Sequence, residues 1–280
     1  MTKKCKIEYL KGNFHRASEK LMIYIPTFQG YVRYDVHYSV VKEINCDCWR
    51  IEDIYHCDED LNQIKCLSAK GEWECAVRLE GRPDFSGGTA HGDEIFQSIK
   101  FIIDGKKMLP QDIEGVLEFE KMVIVENSFL YDPNDSETVI AKHGKEYIFT
   151  AQGLDLRQSV IWQVEDNLSS CYLAMFPISK RVTDHVYFET DHTFLKIPES
   201  EDCCRKDCKR ATIYSDENNF YADFYISEYP DGYENSGECL ISDNNGGPYN
   251  KMYFRVASGG RVTVGTTWKS ATHYRISIGK

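Results

Sequence analysis

The chain has 280 residues, of which 42% are hydrophobic and 28% charged, a composition typical of a folded globular protein rather than a disordered one. Its net charge of −11 argues against nucleic-acid binding, because proteins that bind a phosphate backbone need a basic surface. An anionic substrate is not excluded, since the local field in a cleft can oppose the net charge. No apolar run approaches the roughly 20 residues of a membrane-spanning helix, so no membrane partner is predicted either.

The beginning of the chain is basic but lacks the apolar stretch and the cleavage site of a secretory signal. The sequence as given therefore predicts a cytoplasmic protein, with a removed leader or phage-associated release left open. Eleven cysteines, an odd number at irregular spacing, favour reduced thiols over a disulfide scaffold. The two tightest groups are Cys46 with Cys48, and Cys203 and Cys204 with Cys208. Neither group has the paired spacing of a structural zinc site, so zinc is disfavoured.

Apolar residues recur with a period of two along most of the chain, which predicts β-strands. Helix is expected only near residues 17–22 and, for a turn or two, over 112–117. Between them, residues 99–103 alternate and end at Asp104 and Gly105, a strong hairpin signal. Further turn signals lie at residues 87–88, 132–135, 230–232 and 244–248.

The second half of the chain repeats the same alternation. In residues 160–164 Val160, Trp162 and Val164 share one face, and in residues 220–226 the even-numbered side chains are apolar. In residues 171–176 Cys171, Leu173 and Met175 are expected to face away from Tyr172, Ala174 and Phe176. The charged stretch 199–210 is interpreted as a surface loop. These patterns predict an all-β fold, a jelly-roll-like antiparallel β-sandwich with few short helices, in a single domain over residues 1–280.

Three segments carry side chains suited to chemistry. Residues 73–80 alternate and place Arg78 and Glu80 on one face, where an arginine can bind a carboxylate through two parallel hydrogen bonds. The alternative for Arg78 is an ordinary cross-strand ion pair. The glycine-rich segment 87–94 contains His91, an imidazole that can accept or donate a proton near neutral pH. The alternative is a solvated loop histidine beside two acidic residues.

The third segment is residues 249–255. Alternation places Tyr249, Lys251, Tyr253 and Arg255 on one face of a strand. An aromatic ring can cover the face of a sugar ring while a guanidinium binds its carboxylate or hydroxyls. The same mixture also occurs on ordinary solvent-facing sheets, so both interpretations stay open.

Taken in order, Arg78-Leu79-Glu80, Ala90-His91-Gly92 and Tyr253-Phe254-Arg255 resemble the jelly-roll polysaccharide lyases of the alginate-lyase type. In that family an Arg-x-Glu strand, a Gln-Ile-His strand and a late Tyr-Phe-Lys strand line one concave sheet. This chain departs from the pattern at three places. Thr89-Ala90 replaces Gln-Ile, Arg255 replaces the lysine, and Gly259 stands where the family has its catalytic tyrosine.

The resemblance implies β-elimination on an anionic, uronic-acid-containing poly- or oligosaccharide. Arg78 and Arg255 would then bind the carboxylate, with Glu80 and Lys251 in the same substrate-binding face. His91 would neutralise the uronate or act as base. Tyr253 and Tyr172 are the candidates for proton transfer. No cofactor is expected, although a calcium site on acidic loops stays open.

Two other functions fit the same residues. A non-catalytic carbohydrate-binding, phage or surface module is favoured by Gly259 and would use aromatic side chains as platforms. A β-sandwich glycoside hydrolase would need a carboxyl pair, such as Glu94 with Glu165 or Asp223. The tryptophans available as platforms are Trp49, Trp73, Trp162 and Trp268.

A metal-dependent protein is the third alternative. Its ligands would be His185 and His192 with Asp184, Glu189 and Asp191. The two histidines are seven residues apart, so on one strand they would point to opposite faces, and a shared site would need a bend.

Overall fold

The computed structural model describes residues 3–11, 19–68, 73–197, 204–233, 238–242, 248–256 and 260–279. These residues form 22 strands, a four-residue helix α1 (Gly88–His91), and two 3₁₀ turns at Lys42–Ile44 and Pro110–Asp112. The strands are β1 (Cys5–Leu10), β2 (Lys20–Pro26), β3 (Tyr31–Val41), β4 (Cys46–Cys57), β5 (Gln63–Ser68), β6 (Ala76–Leu79), β7 (Glu94–Ile103), β8 (Lys106–Lys107), β9 (Val116–Phe119), β10 (Lys121–Asp132), β11 (Asp135–Thr150), β12 (Gly153–Trp162), β13 (Asp166–Ser179), β14 (His185–Phe188), β15 (Thr193–Lys196), β16 (Cys204–Asp207), β17 (Arg210–Ser215), β18 (Phe220–Glu228), β19 (Glu238–Ser242), β20 (Tyr249–Val256), β21 (Arg261–Val262) and β22 (Thr267–Ile278).

The strands assemble into two sheets. The large sheet has 16 strands in the order β15-β14-β17-β18-β22-β12-β11-β10-β7-β4-β3-β2-β1-β9, with β5 beside β4 and β8 beside β7. The small sheet has the order β16-β19-β20-β13-β21, with β6 beside β13. Pairing is antiparallel except between β4 and β7. The predicted all-β antiparallel sandwich is confirmed.

The two sheets pack through aromatic side chains on their facing surfaces. Phe254 of β20 stacks on Phe224 of β18 with ring centroids 4.3 Å apart. Phe176 of β13 contacts Phe224 at 5.5 Å and Tyr274 of β22 at 5.1 Å. Trp73, completely buried, fills the same layer against Phe176 and Tyr274. Because these side chains point inward, their neighbours along β13 and β20 point to the outer surface of the small sheet.

The predicted alternation over residues 171–176 is wrong beyond Tyr172, and the reason is a β-bulge. Tyr172 pairs with Arg255 and Ala174 with Phe254, so Leu173 is an extra residue in β13. After the bulge the phase is reversed, which turns Met175 outward, opposite Tyr253, and Phe176 into the core. Tyr172 and Phe176 therefore lie on opposite faces.

The hairpin and turn predictions have mixed outcomes. Asp104 and Gly105 join β7 to β8 with positive φ angles of 47° and 80°, as a tight turn of this type requires. Residues 132–135 connect β10 to β11 as expected. The helix expected near residues 17–22 is wrong where the structure describes it, because Lys20 begins β2 and pairs with His37 of β3. Residues 17–18 and the turn signal at 244–247 lie outside the described residues.

The charged segment 199–210, expected as a surface loop, is in part a strand, because β16 lies within it. Residues 199–203 fall outside the described ranges. The helical turn expected at residues 112–117 is limited to the 3₁₀ turn Pro110–Asp112 and is followed by β9. Along the described ranges, no helix has the length and apolar character needed to cross a membrane.

Candidate functional site

The outer surface of the small sheet carries a cluster of aromatic and basic side chains, which we call the tyrosine face: Arg78, Tyr172, Lys251, Tyr253 and Arg255. Tyr172 and Tyr253 lie on adjacent strands with ring centroids 4.7 Å apart. Arg255 pairs with Tyr172 in the β13–β20 register, and Lys251 Nζ lies 5.1 Å from the centre of the Tyr253 ring. Arg78 comes from β6 on the other side of β13, where it pairs with Ser170.

The segment after β6 folds over this surface. Phe85 stacks on Tyr172 with ring centroids 5.3 Å apart, and the Arg78 guanidinium carbon lies 4.9 Å from the centre of the Phe85 ring. His91 follows at the end of α1, with its ring 5.0 Å from Phe85. Phe85, Tyr172 and Tyr253 thus form a continuous aromatic row with cationic groups along it.

His91 is oriented by Asp84. The Asp84 carboxylate lies 2.9 Å from His91 Nδ1, so a hydrogen bond between the two side chains fixes the orientation of the imidazole ring. The acidic residues expected beside His91 were Asp93 and Glu94, yet Asp93 accepts from Asn45 and Glu94 points into the interior. Asp84 and Phe85 are the members of the site that sequence reasoning missed. Their signal was weak, because both lie in a segment without periodicity.

The sharp path of the chain around α1 depends on glycines. A Cβ on Gly92, whose φ is +86°, would lie 1.9 Å from the carbonyl oxygen of Ile44. A Cβ on Gly87 would lie 2.6 Å from the carbonyl oxygen of Cys75. Only glycine permits these approaches, and they bring His91 back over the sheet.

Most of the predicted site residues therefore come together, and one does not. His91, Arg78, Lys251, Tyr253 and the pair Tyr172–Arg255 meet at one surface. Glu80 lies beyond the end of β6 and is exposed, and its carboxylate accepts a hydrogen bond from Asn167 at 2.9 Å. It belongs to the margin of the small sheet rather than to the aromatic row. The roles assigned to these residues stay predictions.

Directly beneath α1, the sandwich interior holds a set of ionisable side chains, which we call the buried charge cluster: Glu94, Glu126, His143 and Lys145. Lys145 Nζ lies 2.9 Å from Glu94 and 3.0 Å from Glu126, and all four side chains are 2% exposed or less. Glu94 also accepts hydrogen bonds from Ser128 and from the backbone N–H of Gly88, the first residue of α1.

The two carboxyl groups of this cluster differ in protonation. Burial favours the neutral acid, but Lys145, with hydrogen bonds from His143 and Ser128, holds the pKa of Glu94 well below its usual range. Burial raises the pKa of Glu126 to about 7, partly because ionised Glu94 is close by. One lysine therefore stabilises one carboxylate fully and the other only in part. The cluster anchors α1, and through it His91, to the core.

The burial of Glu94 argues against the carboxyl pair that a glycoside hydrolase would need. Glu94 is completely buried and its oxygens are held by four donors, so it cannot reach a glycosidic bond. Asp223 is held by both arms of the Arg210 guanidinium, and Glu165 pairs with Arg261. The structure does not support this pairing of carboxyl groups.

The metal alternative at His185 and His192 is not supported either. His185 lies at the start of β14 beside Asp184, whereas His192 lies in the following turn, where it bonds the Tyr187 hydroxyl. Asp35, His37 and Asp53 do lie within 4.8 Å of one another. Lys20 and Arg33 already neutralise Asp35, however, so these ligands are poorly suited to a cation.

Among the described residues, nine cysteines are free thiols, as the sequence predicts. Cys46 and Cys48 have their sulfur atoms 3.7 Å apart, and so do Cys75 and Cys171, which is far longer than a disulfide bond. A hydrogen bond with Cys239 lowers the pKa of the Cys208 thiol. Cys203 and the side chain of Cys204 lie outside the described residues.

The chain matches no protein-family model and no curated protein. Among solved structures it is similar to a galactose mutarotase-like protein from Clostridium acetobutylicum (9% identity, TM-score 0.47, covering 99% of this chain and 100% of that one). It is also similar to a 4-alpha-glucanotransferase from Thermococcus litoralis (8%, TM-score 0.49, 97% and 39%) and to a heparan sulfate lyase from Pedobacter heparinus (8%, TM-score 0.40, 93% and 35%). With every one of these TM-scores below 0.5, fold and site rest on the geometry of this chain.

Proposed function

We propose that the tyrosine face binds a uronic-acid-containing poly- or oligosaccharide and cleaves it by β-elimination. The observation that carries this proposal is the contact between the Tyr172 and Tyr253 rings, with Arg78, Lys251 and Arg255 around them. The rings offer apolar surface to the face of a sugar, and the basic groups favour a carboxylate, although the whole chain carries a net charge of −11.

The chemistry requires a neutralised carboxylate and a base. Arg78 and Arg255 would hold the uronate carboxylate, which makes the neighbouring C5 proton acidic enough to remove. Tyr253 or Tyr172 would take that proton, with His91 as neutralising group or as the base itself. The C5–H electron pair forms the C4–C5 double bond as the C4–O4 bond breaks. The leaving O4 takes a proton from the tyrosine hydroxyl.

The test is ultraviolet absorbance during incubation with a panel of uronic-acid polysaccharides, since elimination creates a conjugated unsaturated uronate that hydrolysis cannot make. Wild-type protein should produce the signal and His91→Ala should abolish it. Of Tyr253→Phe and Tyr172→Phe, the variant that lacks the proton-transfer tyrosine should also abolish it. His91→Ala should keep its unfolding free energy within about 1 kcal/mol of wild type, because the side chain lies outside the core. Tyr221→Phe is the matched control, since Tyr221 is a partly exposed tyrosine of the large sheet.

A second function, a non-catalytic carbohydrate-binding module, is favoured by Gly259 at the position of the family's catalytic tyrosine and by the unbroken aromatic row. Binding to immobilised polysaccharide without any absorbance change would support it. Arg255→Ala should weaken binding to a charged polymer more than to a neutral one. Equal losses for both polymers would contradict a carboxylate-binding role for Arg255. If the protein neither bound nor cleaved any of the polysaccharides, both proposed functions would be contradicted.

A further inference from the structure

The outer face of the large sheet carries a hydrogen-bonded series of three side chains, away from the tyrosine face. Asp155, His273 and Ser227 come from the neighbouring strands β12, β22 and β18. Asp155 Oδ1 lies 2.7 Å from His273 Nδ1, and His273 Nε2 lies 2.7 Å from Ser227 Oγ. The acid thus contacts one ring nitrogen and the hydroxyl contacts the other. This is the connectivity by which a histidine activates a serine nucleophile.

The sheet fixes the imidazole on several sides. Asp155 and His273 are direct register partners, so the backbone sets their separation. The Tyr225 ring stacks on the His273 ring with centroids 4.3 Å apart and planes 15° apart. Arg275 donates to Asp155 as well as to the carbonyl oxygen of Leu154. Asp155 Oδ1 therefore contacts both His273 and Arg275, which fixes the position of the carboxylate beside the imidazole.

Ser227 has the exposure that a nucleophile needs. β18 and β22 shift register between Ile226 and Glu228, so Ser227 is the extra residue of a β-bulge and has no register partner on β22, although its hydroxyl contacts His273 and, at 3.4 Å, the carbonyl oxygen of Ala271. A bulge turns its side chain out of the regular pleat and takes its backbone N–H out of the ladder. Ser227 is exposed, whereas the side chains of His273 and Asp155 are 18% and 29% exposed.

We infer that Ser227, His273 and Asp155 form an acyl-transfer site that hydrolyses exposed esters of small carboxylic acids. Ser227 Oγ forms a bond to the ester carbonyl carbon while its proton passes to His273 Nε2. The carbonyl–alkoxy bond then breaks, and the alkoxy oxygen leaves with that proton. Water, deprotonated by His273, attacks the acyl group in turn, the Oγ–carbonyl bond breaks, and carboxylic acid and free serine result.

The first experiment uses the full chain and a fluorophosphonate probe, with the modified peptide located by mass spectrometry. The adduct should lie on Ser227, and His273→Gln should lose it, because the hydroxyl is then without its base. Labelling that is absent from Ser227, or equal in wild type and His273→Gln, would overturn the inference.

The second experiment measures hydrolysis of p-nitrophenyl acetate. Ser227→Ala and His273→Gln should lower the protein-dependent rate by about 100-fold or more, since nucleophile and base act as one unit. Ser98→Ala is the matched control, because Ser98 is an exposed strand serine that bonds Asn127 rather than a histidine. An unchanged rate in Ser227→Ala would show that the three side chains only support the sheet. All variants should keep the wild-type unfolding midpoint, and the result is independent of the tyrosine face.

Discussion

The buried charge cluster and the tyrosine face are close neighbours in the molecule, and both are rich in ionisable side chains. They differ in how each charge is satisfied. In the cluster, Lys145 lies between two carboxyl groups that are completely buried. Arg78 of the tyrosine face and the neighbouring His91 are partly exposed and lie against the Phe85 ring.

This difference separates stability from function. A buried charge is tolerated only with its partner, so loss of one member of the cluster leaves an uncompensated charge in the core. Partly exposed ionic contacts contribute little to folding, so substitutions there should change stability little. The two regions are joined through α1, whose first N–H donates to Glu94 and whose last residue is His91. The cluster therefore holds His91, the histidine of the proposed site, in place.

The largest expected effect is that of Lys145→Met. This change removes the cation that both carboxyl groups share and should lower the free energy of unfolding by about 3–5 kcal/mol. Denaturant titration measures the loss. Lys142→Met, an exposed position on the same strand, is the control and should stay within about 0.5 kcal/mol of wild type. If Lys145→Met and Lys142→Met lowered the free energy of unfolding equally, the buried charge cluster would not have the stabilising role assigned to it.

The next effect concerns pH and Glu126. Its pKa is about 7 in the folded state, whereas the ordinary value is 4.5. Between pH 4.5 and 7, Glu126 therefore holds a proton in the folded protein that it has lost in the unfolded protein. This group therefore makes wild type lose stability as pH rises from about 4.5 to 7, by up to about 3 kcal/mol. Glu126→Gln should remove that loss. The measurement is the difference in unfolding free energy between variant and wild type across this range. If the curves of unfolding free energy against pH were parallel for Glu126→Gln and wild type, the raised pKa would be contradicted. Glu118→Gln, which changes an exposed carboxyl group, is the control and should give a curve parallel to that of wild type.

Gly92→Ala tests the link between the two regions. The new Cβ would overlap the Ile44 carbonyl, and the positive φ adds backbone strain, so we expect the free energy of unfolding to fall by about 2–3 kcal/mol. The proposed polysaccharide cleavage should be lost as well. Gly81→Ala has a positive φ but nothing within 4 Å of its Cβ, so it should cost about 1 kcal/mol and retain activity. Full activity in Gly92→Ala would show that α1 does not position His91.

Asp84→Asn should have the smallest effect on stability, within about 0.5 kcal/mol, because the Asp84–His91 pair is partly exposed. For the proposed elimination, turnover should fall by about tenfold with KM unchanged, since Asp84 contacts His91 and would act on the sugar only through that imidazole. Asp58→Asn is the control, a partly exposed aspartate that closes a remote turn. A change in KM alone would assign Asp84 to substrate binding instead.

The fold class could be predicted because strand alternation is a local property of the chain. Phe220, Ala222, Phe224 and Ile226 alternate in the sequence and are all buried in β18. The same reasoning identified Tyr253 and Arg255 as one face of a strand, and they lie on the outer surface of β20. It failed at Leu173, because a bulge is recognisable only when the partner strand is known.

The sequence by itself determined the strand periodicity, the acidic net charge and the side chains of β6, α1 and β20 from which the site is built. Only the tertiary structure decided which of them meet, because antiparallel pairing joins strands distant in the chain, as it does Arg78 with Ser170 and Tyr172 with Arg255. It also decided that Glu94 is interior and that Asp155, His273 and Ser227 are aligned. Burial and register are properties of the paired sheet, and no window of the sequence contains them.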